Sequence, residues 1–300
     1  HMYIRISANA EDIGTFATGF EIGASILASG RAFTYPKLIE LPSEGAIYLF
    51  FRQHTTPDGP TGTTLQLAYT KSLDNGATWS AITRVYGNTG KASYWQIDDN
   101  GSGRIDFATT NDSGAGTGAS VYHFYYQGGS YYRTDGTLIS SSLPLTPADL
   151  TLVYSGATNP ARFVYDVSTN GGLPVVTFPV ITAGNEDYIY ASWSGSSWSW
   201  HTVVAAGAVS SAFIEGGIAL DRASPTACYV SRYTAGQWEM FRYTTGDAGA
   251  SWNSAQLTTA SSAANFYPVV PRNHGSTLRC VWLLGNPTSY TSYNLGMVAV

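Results

Sequence analysis

Ser72-Leu73-Asp74-Asn75-Gly76-Ala77-Thr78-Trp79 decides how this 300-residue chain is read, because it recurs as Thr245-Gly246-Asp247-Ala248-Gly249-Ala250-Ser251-Trp252. The second copy exchanges only Ser for Thr and Thr for Ser at the positions of the Ser-x-Asp-x-Gly-x-Thr-Trp pattern. The spacing has a mechanical reading. Asp accepts hydrogen bonds from its own turn, Gly supplies a positive φ, and Trp plugs the core where the next strand begins. Two copies imply a repeated β-unit held by the same hairpin staple, so the pattern reports architecture and not catalysis.

Working outward, the composition suits short strands and tight turns. The chain has 32 Gly, 21 Tyr and 8 Trp but only 12% charged residues. Its length can bury a large core as one closed domain, which we place at residues 3–300. His1-Met2 reads as an expression-vector scar, and no signal peptide follows it. The net charge of −5 argues against nucleic acid, whose phosphates demand a basic face. No apolar run approaches the roughly 18 residues of a membrane span. Arg outnumbers Lys by 12 to 3, and guanidinium forks match carboxylates and sulfates, which makes an anionic ligand conceivable. Cys228 and Cys280 lie in strand-like runs and are expected as buried free thiols. The alternatives are a disulfide or a zinc site with His274, but no Cys-x-x-Cys spacing supports metal, and no cofactor is expected; structural calcium or zinc has no motif behind it.

One pattern recurs along the chain: an apolar strand, a Gly-containing turn, an aromatic strand, a loop, and a third strand leading to a Trp- or Tyr-bearing hairpin. The units run from Tyr35 to Arg84, Tyr94 to Ile139, Phe163 to Val204, Ile214 to Leu257, and Tyr267 to the C-terminus. Starts about 50 to 70 residues apart suit propeller blades of four strands. The expectation is an all-β, single closed β-propeller of five four-stranded blades, with six or seven blades as alternatives. The last unit has room for three strands, ending at Leu295-Gly296-Met297-Val298, so Tyr3-Ile4-Arg5-Ile6 is expected to complete it and remove the exposed edge. Leu150 to Tyr154 is a possible additional strand.

Several runs carry a family resemblance. Tyr35-Pro36-x-Leu38-x-x-Leu41 with Ile47-Tyr48-Leu49-Phe50-Phe51-Arg52, Val121-Tyr122-His123-Phe124-Tyr125-Tyr126, Tyr132-Arg133-Thr134-Asp135-Gly136-Thr137, and Pro268-Val269-Val270-Pro271-Arg272-Asn273 resemble the BNR-repeat (Asp-box) family that contains the β-propeller ulvan lyases. The resemblance implies β-elimination in an acidic polysaccharide. A base takes the proton next to a uronate carboxylate, an acid helps the glycosidic oxygen leave, and a cation neutralises the carboxylate. It implies His123, in the Val-Tyr-His strand, and Tyr165, of Phe163-Val164-Tyr165-Asp166, as catalytic residues. The chain departs from the family at two places. The family's first His has no counterpart in Thr110-Asn111-Asp112-Ser113-Gly114, and its Arg falls near Val180-Ile181. Arg162, Arg232 and Arg52 are the candidate replacements, with Asn111, Asp112 and Tyr94 as further candidate substrate contacts.

Each candidate has a structural reading beside the functional one. His123 between aromatic residues suits core packing with one satisfied nitrogen. Tyr165 is one of many tyrosines, and Arg52 and Arg232 each close a strand where a structural ion pair is as good an account. Asn111 and Asp112 sit in a Gly-rich loop where turn chemistry is the default, while His54 and His201 read as loop or strand-surface residues. The leading functional expectation is a polysaccharide lyase cleaving a uronate-containing glycan such as ulvan. The alternatives are a non-catalytic glycan-binding propeller and a sialidase-like glycosidase, the latter lacking the Arg-Ile-Pro entry motif. The expected partner is an acidic polysaccharide, with no nucleic acid or membrane, met by a monomer. The family resemblance implies a secreted or cell-surface location.

Overall fold

A computed structural model describes residues 3–7, 9, 14–16, 19–21, 33–54, 65–99, 101, 103–112, 118–208, 216–287 and 292–300. Ile214, the expected start of the fourth unit, and Ser113 and Gly114 lie outside the described residues. Strands β1 (Tyr3–Ile4) and β2 (Phe20–Glu21) pair with each other. Five antiparallel sheets then follow in chain order. The first is β3 (Phe33–Leu41), β4 (Ala46–His54), β5 (Leu65–Ser72) and β6 (Thr83–Tyr86). The second is β7 (Trp95–Asp99), β8 (Arg104–Thr110), β9 (Val121–Gln127) and β10 (Ser130–Arg133), with β11 (Thr151–Tyr154) also on β9. The third is β12 (Asp166–Asn170), β13 (Leu173–Thr182), β14 (Asn185–Trp193) and β15 (Trp198–Ala208). The fourth is β16 (Ile218–Leu220), β17 (Ala227–Thr234), β18 (Gln237–Thr244) and β19 (Asn253–Gln256). The fifth is β20 (Ala264–Val269), β21 (Val281–Gly285) and β22 (Leu295–Ala299).

This is a five-bladed β-propeller, and β11 is the additional strand that Leu150 to Tyr154 suggested. The first strands of successive blades touch in the order β3, β7, β12, β16, β20. Apolar faces of neighbouring blades make the core between them. Phe50 and Leu67 of the first blade pack with Phe107 and Phe124 of the second, and Tyr190 of the third packs with Cys228 and Phe241 of the fourth. The period-2 alternation of each strand puts these residues on the faces between blades.

The two repeated turns join the third and fourth strands of the first and fourth blades. Asp74 accepts from the Thr78 amide at 2.8 Å and hydroxyl at 2.6 Å, and the Ser72 hydroxyl accepts the Gly76 amide at 2.7 Å. Asp247, Ser251, Thr245 and Gly249 repeat these bonds at 2.8, 2.6 and 2.9 Å. Gly76 and Gly249 have φ of 89° and 96°, a region that a side chain would strain. Those bonds hold both Asp carboxyls down at about 2.

One expectation is corrected. The N-terminal segment does not complete the fifth blade. Ile4 packs instead on the Phe33, Leu49 and Phe51 cluster of the first blade, and the Ile6 side chain lies against Gly76. Ile4 is half-buried against that apolar cluster. Among the described residues the fifth sheet therefore has three strands. The ring is held there by charges crossing the axis. Arg272, after β20, meets Asp98 at 2.5 Å and Asp99 at 2.5 Å, and Arg222, after β16, meets Asp98 at 2.7 Å and Asp166 at 2.6 Å. Lys37 of β3 donates to Gln96 of β7, so every blade supplies a member of this network.

Cys228 and Cys280 are buried free thiols, and burial pushes both up, Cys280 to about 12. His274 does not join them. Its Nε2 lies 2.9 Å from Asp221.

Candidate functional site

Aromatic rings line the end of the propeller at which the innermost strands begin. Tyr35 of the first blade lies 6.0 Å from Tyr94, just before β7, and Tyr94 lies 5.7 Å from Phe163. Phe163 is 5.3 Å from Tyr165, which is 5.8 Å from Tyr188 of β14. The Tyr188 hydroxyl accepts the Gly217 amide at 2.6 Å, and the Tyr267 amide donates to Gly216 at 2.8 Å, carrying the arc to the fourth and fifth blades. Gly216 must be glycine here, because a Cβ would stand 2.4 Å from the Tyr188 hydroxyl. Tyr188 is fully buried, and the exposed or partly exposed rings of Tyr35, Tyr94, Phe163 and Tyr165 are the ones suited to stacking on sugar faces.

Two of the candidate arginines meet this arc and differ in their partners. Arg162 is buried and pairs with Glu186, with its guanidinium 5.5 Å from the Phe163 ring. Burial raises the Glu186 carboxyl against the opposing effect of Arg162. Arg52, at 9% exposure, has no carboxylate partner among the described residues. Its Nε donates to the Thr34 hydroxyl at 3.0 Å, while its Nη1 is buried with no acceptor. Its guanidinium instead lies over Tyr35 at 4.5 Å and Tyr94 at 5.1 Å. A buried cation compensated only by ring faces and one hydroxyl is costly, and it leaves a donor available to an acid group.

Tyr165 is half-buried, and desolvation, with Tyr188 and Glu186 nearby, raises its phenol well above the usual tyrosine range. It therefore stands neutral and can donate a proton, which disfavours the deprotonated form as a base.

His123 is elsewhere. The structure does not bring it to the arc of rings that holds Tyr165. It is fully buried on β9, with Nε2 3.0 Å from Asp106 and Nδ1 2.9 Å from the Thr134 hydroxyl, and its ring is 5.5 Å from Trp198 of the third blade. Asp106 also takes a two-pronged bond from Arg104. Burial lowers the His123 pKa, so the ring is neutral, donating to Asp106 and accepting from Thr134. The strand pattern Val-Tyr-His says which strand holds the ring. The face it points to is set by the register Ala108↔His123↔Thr151, two strands out from Gln96 on the inner strand.

The remaining candidates divide. Tyr94 belongs to the arc. Arg232 donates to the Tyr243 hydroxyl at 3.3 Å and lies 5.7 Å from the Phe241 ring, and no contact joins it to Tyr165. Asn111 accepts the Ser120 amide at 2.8 Å, and Asp112 pairs with Lys91 at 2.7 Å, so both side chains staple their loop. His201 is half-buried on β15. Tyr35, Tyr188 and Tyr267 were not singled out as site residues. The repeated Tyr-Pro of the first and fifth units was the available signal for Tyr35 and Tyr267. No group of three His, Cys, Asp or Glu that could hold a metal occurs among the described residues.

A five-bladed ring built on repeated Asp-Gly-Trp turns defines the class, a BNR-type β-propeller. The chain belongs to the BNR repeat-containing family, whose model matches residues 2–206. No curated protein matches it. Among solved structures it is similar to the polysaccharide lyase Uly1, with TM-score 0.56 and 12% identity, covering 89% of this chain but only 58% of the lyase. It is also similar to an α-L-arabinanase of Penicillium chrysogenum complexed with arabinobiose, with TM-score 0.55 and 12% identity, covering 88% of this chain and 76% of that one. At these identities the likeness is one of fold.

Proposed function

We propose that the protein is a polysaccharide lyase that cleaves a uronate-containing glycan at the aromatic end of the ring. The observation that carries this reading is Arg52, a buried cation with no carboxylate partner among the described residues, on the same arc of rings as Tyr165. The similar lyase and the arabinanase, both glycan-active propellers, favour a glycan over other ligands. In the reaction, Arg52 meets the uronate carboxylate and acidifies the neighbouring C–H. A base takes that proton, the C–O bond to the leaving sugar breaks, a C=C bond forms, and the neutral Tyr165 phenol protonates the departing oxygen. His123 is left out of this set because it is enclosed. Glu186, whose carboxyl burial raises and which influences Tyr165, is itself enclosed and bonded to Arg162, so it is left out of the set as well. A secreted or cell-surface location suits a polymeric substrate.

The test is incubation with a panel of uronate polysaccharides while following the ultraviolet absorbance of an unsaturated uronate. Tyr165→Phe should lower that rate by about 10² to 10⁴ with an unchanged melting curve. A panel that yields hydrolysed but saturated ends would replace the lyase with a glycosidase. A second reading, a glycan-binding propeller without turnover, is favoured by the burial of His123 and the engagement of Arg162 with Glu186, and predicts binding with no product at all.

A further inference from the structure

Tyr35 and Tyr267 share an unusual backbone. Both precede proline, Tyr35-Pro36 and Tyr267-Pro268, and both adopt the left-handed region, with φ of 59° and 51°. That conformation is a genuine outlier for a bulky residue and persists only where the surroundings enforce it. Each sits in a break of its ladder. In the first blade, pairing runs Thr34↔Arg52 and resumes at Lys37↔Phe50, so Tyr35 and Pro36 stand outside the register. In the fifth, Phe266↔Leu283 is followed by Val269↔Val281. The fold thus spends the same local strain twice, at the two blades flanking the seam of the ring, to place a tyrosine at the aromatic end.

At Tyr35 the consequence is specific. Its ring, half exposed, lies against the guanidinium of Arg52, whose Nη1 has neither an acceptor nor access to water. Arg162, comparably buried, carries Glu186, and the partly buried Arg104 and Arg222 carry Asp106, Asp98 and Asp166. Arg52 alone of these four arginines has no carboxylate among the described residues, only ring faces and the Thr34 hydroxyl. Because Tyr35 lies outside the ladder, its ring can lift from Arg52 without parting the β3–β4 pairing on either side of the bulge.

We propose that Tyr35 is the cover of an acid-group pocket, in which Arg52, flanked by Tyr35 and Tyr94, takes a carboxylate or sulfate of a bound sugar ring while Tyr35 packs on that ring. This rests on the reading of the aromatic end as a glycan site, but not on turnover. The buried guanidinium supplies the charge selectivity, and the two tyrosines exclude water from the pair they enclose.

The test is calorimetric binding of three probes to the intact protein: an oligogalacturonate, its methyl ester, and a sulfated galactan oligosaccharide. The wild type should prefer at least one acid-bearing probe over the neutral ester by about tenfold or more. Which of the two it prefers tells carboxylate from sulfate. Arg52→Gln and Tyr35→Ala should each remove most of that preference, and Tyr35→Phe should keep it, since the ring and not its hydroxyl does the covering. Removing an uncompensated buried cation should leave the melting temperature of Arg52→Gln equal to or above wild type. Equal binding of acid and neutral probes, no binding of any probe, a Tyr35→Ala protein with undiminished preference, or unfolding of Arg52→Gln would each overturn the proposal. Acid-selective binding without an unsaturated product would sink the lyase reading and leave this pocket standing.

Discussion

At the residue scale, burial separates two groups that look equally catalytic in one dimension. Tyr165 is half-buried in a chain of rings, whereas His123 is enclosed by Asp106, Thr134 and Trp198. Both nitrogens of a neutral imidazole are satisfied there, so its removal leaves a cavity and strands two polar partners. His123→Ala is expected to cost about 2–4 kcal/mol in urea denaturation. Wild-type stability with lost turnover would return His123 to the reaction. Chain pattern identified the strand and the ring, but not the side of the blade to which that ring was turned.

At the element scale, the two repeated turns act as staples whose strength depends on pH. Their Asp carboxyls are held at about 2, well below the ordinary value of about 3.9. A depressed carboxyl contributes stability that is present above the unfolded value and lost as pH falls through the folded one. The melting temperature of wild type should therefore exceed that of the Asp74→Asn, Asp247→Asn double variant at pH 6, and the gap should shrink between about pH 4 and pH 2. A gap that does not change across that range would mean that the carboxylate charge is irrelevant to the turn. These elements were fully legible, because the side-chain bonds of the Ser, Asp and Thr positions close within eight residues. The Tyr-Pro bulges were half legible. The dipeptide marked the start of two units, but the left-handed backbone that aims each ring depends on Tyr and Pro together standing opposite a single residue of the neighbouring strand.

At the scale of the whole molecule, closure is where the expectation and the structure part. The fifth blade has three strands among the described residues, and Asp98 holds Arg222 and Arg272 from two other blades. Burial pushes the Asp98 carboxyl up to about 6 despite both arginines. Asp98→Ala leaves those cations without their shared partner, although Arg222 keeps Asp166 and Arg272 keeps Asp99, and should cost about 1–3 kcal/mol. Hydrogen exchange should rise first in β20, β21 and β22. Uniform exchange across all five sheets would show that the network does not hold the seam.

By itself the sequence determined the all-β class, the repeat and its five units, the two staples, and the buried thiols. These follow from local rules: turn chemistry within eight residues, alternation along a strand, and the spacing between units. Only the tertiary structure decided that Ile4 packs on the first blade, that His123 faces the third blade and not the axis, and that Arg52, unlike the comparably buried Arg162, has no carboxylate partner among the described residues. It also joined Lys37, Gln96, Asp98, Asp166, Arg222 and Arg272 across the axis from five separate blades. The reason is physical. A charge or a ring is functional or structural according to what surrounds it, and in a propeller those surroundings come from neighbouring blades, tens to hundreds of residues away in the chain.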